Sequence, residues 1–208
     1  MRNFTCLMFS LLVIIGLQVS IQAGERRPER TINRIYKWEM TVTNGGGLGK
    51  WGRRQMCPSG TYAAGFSLRV DNGQNDDQTG LNGIQLHCVY PYTGASSYYD
   101  YSSVQSDVGS WGQWTEIKWC PSGVLIDFRL RVEKYKGYDG DDTSVNNIEF
   151  QCSDSSFLVG EGTYRGDWGT WSRICREKGI CGIKTLVVEP QGTGDDIALN
   201  NVIMYCCK

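Results

Sequence analysis

Two acid pairs, Asp141 with Asp142 and Asp195 with Asp196, carry the residue types that glycoside chemistry needs. One carboxyl can act as acid and the other as base or nucleophile. Adjacent residues on a strand or turn usually point apart, however, and the motif recurs along the chain, whereas a catalytic centre is needed once. Capping of turn N–H groups, which would place the Asn that follows, accounts better for the recurrence. The functional alternative is contact with carbohydrate hydroxyls through Asp142 and Asp196. A calcium loop is not indicated, because the Asp-x-Asp-x-Asp-Gly pattern is absent. The asparagines Asn82, Asn146 and Asn200 each offer one acceptor and two donors, suited to a buried turn or to a sugar hydroxyl. Their repetition favours architecture, and Asn146 and Asn200 remain candidate sugar contacts.

Trp111, Trp114, Trp119, Trp168 and Trp171 sit among turn-forming glycines. An indole face can stack on the C–H face of a sugar ring and orient it at little entropic cost. Packing between sheets is the competing use. Trp111, Trp114, Trp168 and Trp171 are the candidate platforms. The stretch Tyr90, Tyr92, Tyr98, Tyr99, Tyr101 has no counterpart elsewhere in the chain and is a candidate partner-contact loop. His87, the only histidine, stands beside Cys88 on an alternating segment and faces away from it. Nothing in the spacing supplies partners for a serine triad or a metal site. No Cys-x-x-Cys pair and no phosphate-cradling loop occurs, so no metal and no cofactor are expected.

The elements that must position these residues repeat three times. One unit reads Trp111-Gly-Gln-Trp114, Cys120-Pro-Ser-Gly123, Phe128-Arg-Leu-Arg-Val132, Gly140-Asp-Asp, Asn146-Asn147, Cys152. Another reads Gly49-Lys-Trp51, Cys57-Pro-Ser-Gly60, Phe66-Ser-Leu-Arg-Val70, Asp77-Gln, Asn82-Gly83, Cys88. The last reads Trp168-Gly-Thr-Trp171, Cys175, Leu186-Val-Val188, Gly194-Asp-Asp, Asn200-Asn201, Cys206. The Asn lies 25, 26 and 25 positions after the leading Cys, and the trailing Cys lies six positions after that Asn each time. The first unit departs at Gln78, which replaces the second carboxylate, and at Leu48, which replaces the first Trp.

Phe66, Leu68 and Val70 alternate, as do Ile84, Leu86 and Cys88, and Phe128, Leu130 and Val132, so each unit reads as antiparallel strands with one buried face. Leading and trailing cysteines argue for Cys57–Cys88, Cys120–Cys152 and Cys175–Cys206. Cys181–Cys207 then follows by elimination, with an exchange of partners between the adjacent Cys206 and Cys207 left open. Three β units leave exposed edges unless they close on one another, and a prism of three sheets about a pseudo-threefold axis is the simplest closure.

The chain has 208 residues and 26 glycines, with no sustained helical periodicity. Arg2, the apolar run Phe4–Val19 and Ala23 read as a secretory signal peptide over 1–23. A polar leader over 24–35 and a single domain over 36–208 follow, with units at about 36–92, 93–153 and 154–208. Loss of the signal segment removes Cys6 and Arg2, leaving eight of nine cysteines and moving the formal charge from −1 to −2. An even cysteine count fits an oxidising, extracellular route. So small a charge offers no footprint for nucleic acid, and no second apolar run provides a membrane anchor. The only Asn-x-Ser/Thr site, Asn3-Phe4-Thr5, falls within the signal segment, so no N-glycan is expected.

The motifs Trp-Gly-x-Trp, Cys-Pro-Ser-Gly, Phe-x-Leu-x-Val and Gly-Asp-Asp-x-x-x-Asn-Asn-Ile, with the Cys206-Cys207 ending, resemble those of the vitelline membrane outer layer protein 1 family from roughly Tyr36 to Lys208. The resemblance implies an all-β fold, a β-prism of three Greek-key antiparallel sheets with pseudo-threefold symmetry. It also implies secretion and a place in the outer vitelline layer of the egg envelope or in another secretion. A lysozyme-like transfer activity on N-acetylglucosamine oligosaccharides is attributed to that family, with no catalytic residue that transfers by position. The expected function is therefore a secreted structural component that binds glycans or coat and mucus glycoproteins as a monomer, and a glycan-active enzyme is the alternative.

Overall fold

Alternating apolar residues build long antiparallel strands because a pleated strand sends neighbouring side chains to opposite faces. The computed structural model describes residues 34–71, 79–91, 100–134, 145–188 and 198–208. Every regular element among them is a strand: β1 (Trp38–Met40), β2 (Lys50–Trp51), β3 (Gln55–Met56), β4 (Tyr62–Asp71), β5 (Gly80–Val89), β6 (Ser102–Gln105) and β7 (Gln113–Trp114) come first. They are followed by β8 (Lys118–Trp119), β9 (Leu125–Val132), β10 (Val145–Cys152), β11 (Phe157–Val159), β12 (Asp167–Trp168), β13 (Gly179–Val187) and β14 (Leu199–Cys207).

These strands form three antiparallel sheets. Sheet A runs β1-β14-β13-β2, with β3 also on β13; sheet B runs β6-β5-β4-β7, with β8 also on β4; sheet C runs β11-β10-β9-β12. In each of B and C a long hairpin continues into a third strand, and the chain then returns to lie beside the first. That order is a Greek key. Sheet A has the same order, but its hairpin comes from the C-terminal part of the chain and its flanking strands from the N-terminal part. The fold is the expected all-β prism. Its sheets, however, are not the sequence units: each unit gives its short strands to one sheet and its hairpin to the next.

The exchange changes what the disulfides join. Cys57 donates its N–H to Cys181 O of sheet A, while its partner Cys88 lies in sheet B. Cys120 donates to Ala64 O of sheet B and is bonded to Cys152 of sheet C. Cys175 donates to Ile126 O of sheet C and is bonded to Cys206 of sheet A. Three disulfides thus link A to B, B to C and C to A. The remaining bond, Cys181–Cys207, staples β13 to β14 within sheet A. Each bond closes a sequence separation of 26 to 32 residues, worth roughly 3–4 kcal/mol on loop-entropy reasoning.

The core lies on the axis. Phe66, Phe128 and Phe150 are buried there, with ring centroids 4.7 Å apart for Phe66–Phe150 and 6.2 Å for Phe128–Phe150. Sheet A contributes Ile183 and Met204 to the same cluster. A second cluster of Met56, Tyr62, Ala64, Val124, Cys181, Tyr205 and Cys207 lies apart from it.

Candidate functional site

Register decides which tryptophans are equivalent. Trp51 of β2 pairs with Leu186, Trp114 of β7 with Arg69, and Trp168 of β12 with Arg131. The residue after each donates its N–H one step further along the long strand, Gly52 to Thr185 O, Thr115 to Leu68 O and Gly169 to Leu130 O. The repeated motif is therefore Gly-x-Trp, seen in Gly49-Lys50-Trp51, Gly112-Gln113-Trp114 and Gly166-Asp167-Trp168. This corrects the reading that set Trp168 against Trp111 and Trp171 against Trp114. Trp168 is the counterpart of Trp114, and Arg165 stands where the second unit has Trp111. The signal was present in the sequence, because the glycine two residues before the aligned Trp recurs in all three units. It is required: φ is +106°, +84° and +75°, and a Cβ would come within 2.4 Å of the Val187 or Val70 carbonyl and 2.2 Å of that of Val132.

The three Trp environments differ. In sheet B the Arg69 guanidinium donates Nε–H to Gly112 O (3.2 Å), Nη1–H to Gly109 O (3.0 Å) and Nη2–H to Ser110 O (2.8 Å). Asn82 Oδ1 accepts the Trp111 N–H at 3.1 Å. The turn is thus held at four points, and it presents Trp111 (52% exposed) and Trp114 (40%) to solvent. In sheet C Trp168 and Trp171 are half-buried around Arg129, whose guanidinium carbon lies 5.1 and 4.9 Å from their ring centroids. Arg131 also covers Trp168 at 5.9 Å, and Phe157 packs on Trp171 at 5.5 Å. Arg129 Nε–H donates to Glu149 Oε2 at 2.5 Å. In sheet A Trp51 (36% exposed) carries Lys184 Nζ 5.3 Å from its ring centroid.

The asparagines are buried. Asn146 accepts the Thr163 hydroxyl on Oδ1 and the Thr163 N–H on its carbonyl, while the Asn200 carbonyl accepts the Gly46 N–H at 2.8 Å. Gly109 docks on the Asn82 carbonyl in the same way, at 2.7 Å. Buried in this way, Asn146 and Asn200 dock the turn that leads into the Gly-x-Trp strand of each sheet. Asp142 and Asp196 lie outside the described residues, as do Tyr92, Tyr98 and Tyr99. Tyr90 and Tyr101 are exposed, and Tyr101 packs edge-on against His87 (5.3 Å) and Trp119 (5.3 Å).

Sequence reasoning placed His87 away from the buried cysteine, and it does lie on the opposite side of its strand, but it is not exposed. Its Nε2 meets Ser67 Oγ at 3.0 Å and its Nδ1 meets Ser103 Oγ at 2.8 Å. Burial pushes it down to about 4. Burial also raises the Asp127 carboxyl, against hydrogen bonds from the Ser172 hydroxyl and the Phe128 N–H. Tyr205, in sheet A, is pushed up to about 12, first by burial and then by the nearby Glu39. Among the described residues no group of three or more His, Cys, Asp or Glu is placed to hold a metal ion, and no helix is long and apolar enough to cross a membrane. Arg69 and Arg129, which decide whether an indole is open or covered, were not singled out by sequence reasoning.

Among solved structures, the fold is similar to that of Calsepa lectin, crystallised in complex with a bisected glycan, with a TM-score of 0.51 and 12% identity over 84% of this chain and 99% of that one. In sequence it is 42% identical over 200 residues to the mouse vitelline membrane outer layer protein 1 homolog, covering 95% of each. It is 44% identical over 176 residues to the human homolog, covering 83% of this chain and 84% of that protein. Residues 38–208 match the family Vitelline membrane outer layer protein I, and the chain belongs to that family.

Proposed function

We propose that the protein is a secreted structural component of an egg envelope, in its outer vitelline layer, or of a mucosal secretion, and that it binds carbohydrate or glycoprotein noncovalently as a monomer. The observation that carries this reading is the pair of indoles, Trp111 and Trp114, held toward solvent by a turn hydrogen-bonded at four points. A rigid aromatic face loses little freedom on binding a sugar ring, so most of the stacking energy is retained. The names of the mouse and human relatives support the location, and a lectin of similar fold supports the ligand class. The disulfides that link the sheets suit a protein that must persist outside the cell.

The test is retention of the purified mature protein on immobilised coat or mucin glycoprotein, compared with the same glycoprotein after enzymatic deglycosylation. In parallel, the N-acetylglucosamine hexamer is incubated with the protein and followed by mass spectrometry. Retention that depends on the glycan, with the hexamer unchanged, is the expected result. Longer or shorter oligomers, lost in Asp142→Asn or Asp196→Asn variants that still fold, would replace this reading with a glycan-active enzyme.

A further inference from the structure

The pseudo-threefold repeat supplies three Gly-x-Trp turns, so three equivalent sugar sites would be the simplest consequence of the carbohydrate-binding reading, on which this inference rests. The turns are chemically unequal. On sheet A the Lys184 ammonium lies over Trp51, and Leu186 occupies the position of Arg69, so that position supplies no guanidinium to brace the turn. On sheet C Trp168 lies under Arg129 and Arg131, and Arg165 replaces Trp111. Among the described residues no cation lies over Trp111 or Trp114.

We propose that the Trp111–Trp114 turn of sheet B is the single carbohydrate site, and that it takes a neutral pyranose within an oligosaccharide. The ring's C–H face stacks on indole, and the exposed Ser110 and Gln113 supply hydroxyl and amide partners at the rim. An acidic sugar gains no special advantage here, because each nitrogen of Arg69 already donates to a backbone carbonyl. On sheets A and C a cation already lies over the ring of Trp51 and of Trp168, so a sugar stacking on the covered face must displace a cation–π contact.

The test is titration calorimetry of the mature protein with the N-acetylglucosamine trimer, mannotriose and sialyllactose. A neutral trisaccharide should bind with a stoichiometry near one. Trp111→Ala and Trp114→Ala should each weaken it about tenfold, while Trp51→Ala and Trp168→Ala leave it within about twofold. Arg69→Lys loses the fork that braces the turn and should weaken binding with the circular dichroism spectrum unchanged. A stoichiometry near three, or binding that survives Trp111→Ala but not Trp51→Ala, overturns the single site and leaves carbohydrate binding standing. Tightest binding by sialyllactose overturns the neutral ligand. Binding of none of the three sugars, together with glycan-independent retention on coat glycoprotein, removes the carbohydrate reading itself.

Discussion

The inner faces of the three sheets are alike: Phe66, Leu68 and Val70 in β4 match Phe128, Leu130 and Val132 in β9, and Ile183 and Val187 hold the same places in β13, where Thr185 replaces the central leucine and donates to the Asp107 carbonyl. The residues facing outward from the same strands are not: Ser67 and Arg69, Arg129 and Arg131, Lys184 and Leu186. Around the axis the sheets share one close-packed volume, so each inner position is constrained in size and polarity by the other two sheets. An outer position answers only to its own neighbours. Sheet B has accordingly gathered a hydrogen-bond ladder, Ser67–His87–Ser103 beside Gln85–Gln105 at 3.1 Å, next to the turn-bracing Arg69. Sheet C has become an ion pair roofed by indoles. Sheet A has gathered a disulfide with Tyr36 and Tyr205, whose rings lie 4.7 Å apart and share Arg54. Outward chemistry that diverges over a shared, largely apolar core is what would let one repeat hold the proposed site and the other two lack it.

The sharpest way to break this comparison is to cut equally on both sides of a sheet. Phe150→Ala should cost about 3–5 kcal/mol in urea unfolding, whereas the exposed Phe157→Ala should cost under about 1 kcal/mol. Equal losses would mean that the axis is not the shared core. Acid comes next and separates B from C. An unfolded His titrates near 6.5, while folded His87 titrates at about 4. Between those values the unfolded chain holds the extra proton, so stability falls as pH drops from 6.5 to 4, by up to roughly 3 kcal/mol. His87→Gln should flatten that part of the stability curve, measured by denaturation at several pH values.

Glu149→Ala leaves Arg129 without its anion beneath two indoles and should cost about 2–3 kcal/mol, while Gln85→Ala at the matching position of sheet B should cost under about 1 kcal/mol. The smallest effect has the opposite sign to that of His87. The raised Asp127 carboxyl contributes stability that is fully present below its ordinary 3.8 and is lost as pH rises through its folded value. Asp127→Asn should remove that slope and leave the His87 slope untouched.

The prism, the long hairpins and the eight cysteines were legible because period-two alternation and fixed spacing survive divergence. The exchange of short strands between sheets was not. Strands such as β2 and β12 have two residues each and carry no periodicity. The misplaced Trp168 has a related origin: Trp-Gly-x-Trp occurs twice, and only backbone register shows that the positive-φ glycine two residues earlier fixes the alignment. Trp111 and Trp114 could be nominated from the sequence, but the covering of Trp168 and Trp171 could not. Their cover, Arg129, comes from a strand about forty positions away in the chain.

In sheet A, Trp38 to Met40 are paired with Cys206 to Met204. The first and last of the described strands are thus neighbours, and the threefold arrangement has no privileged starting point. Linking Lys208 to the residues before Trp38 and opening the chain between Pro91 and Asp100 would give a circular permutant. Its β6, β7 and β8 would precede everything else and still flank β4 and β5, as β1, β2 and β3 now flank β13 and β14. All four disulfides would keep their partners, and any one of the three sheets could serve as the seam.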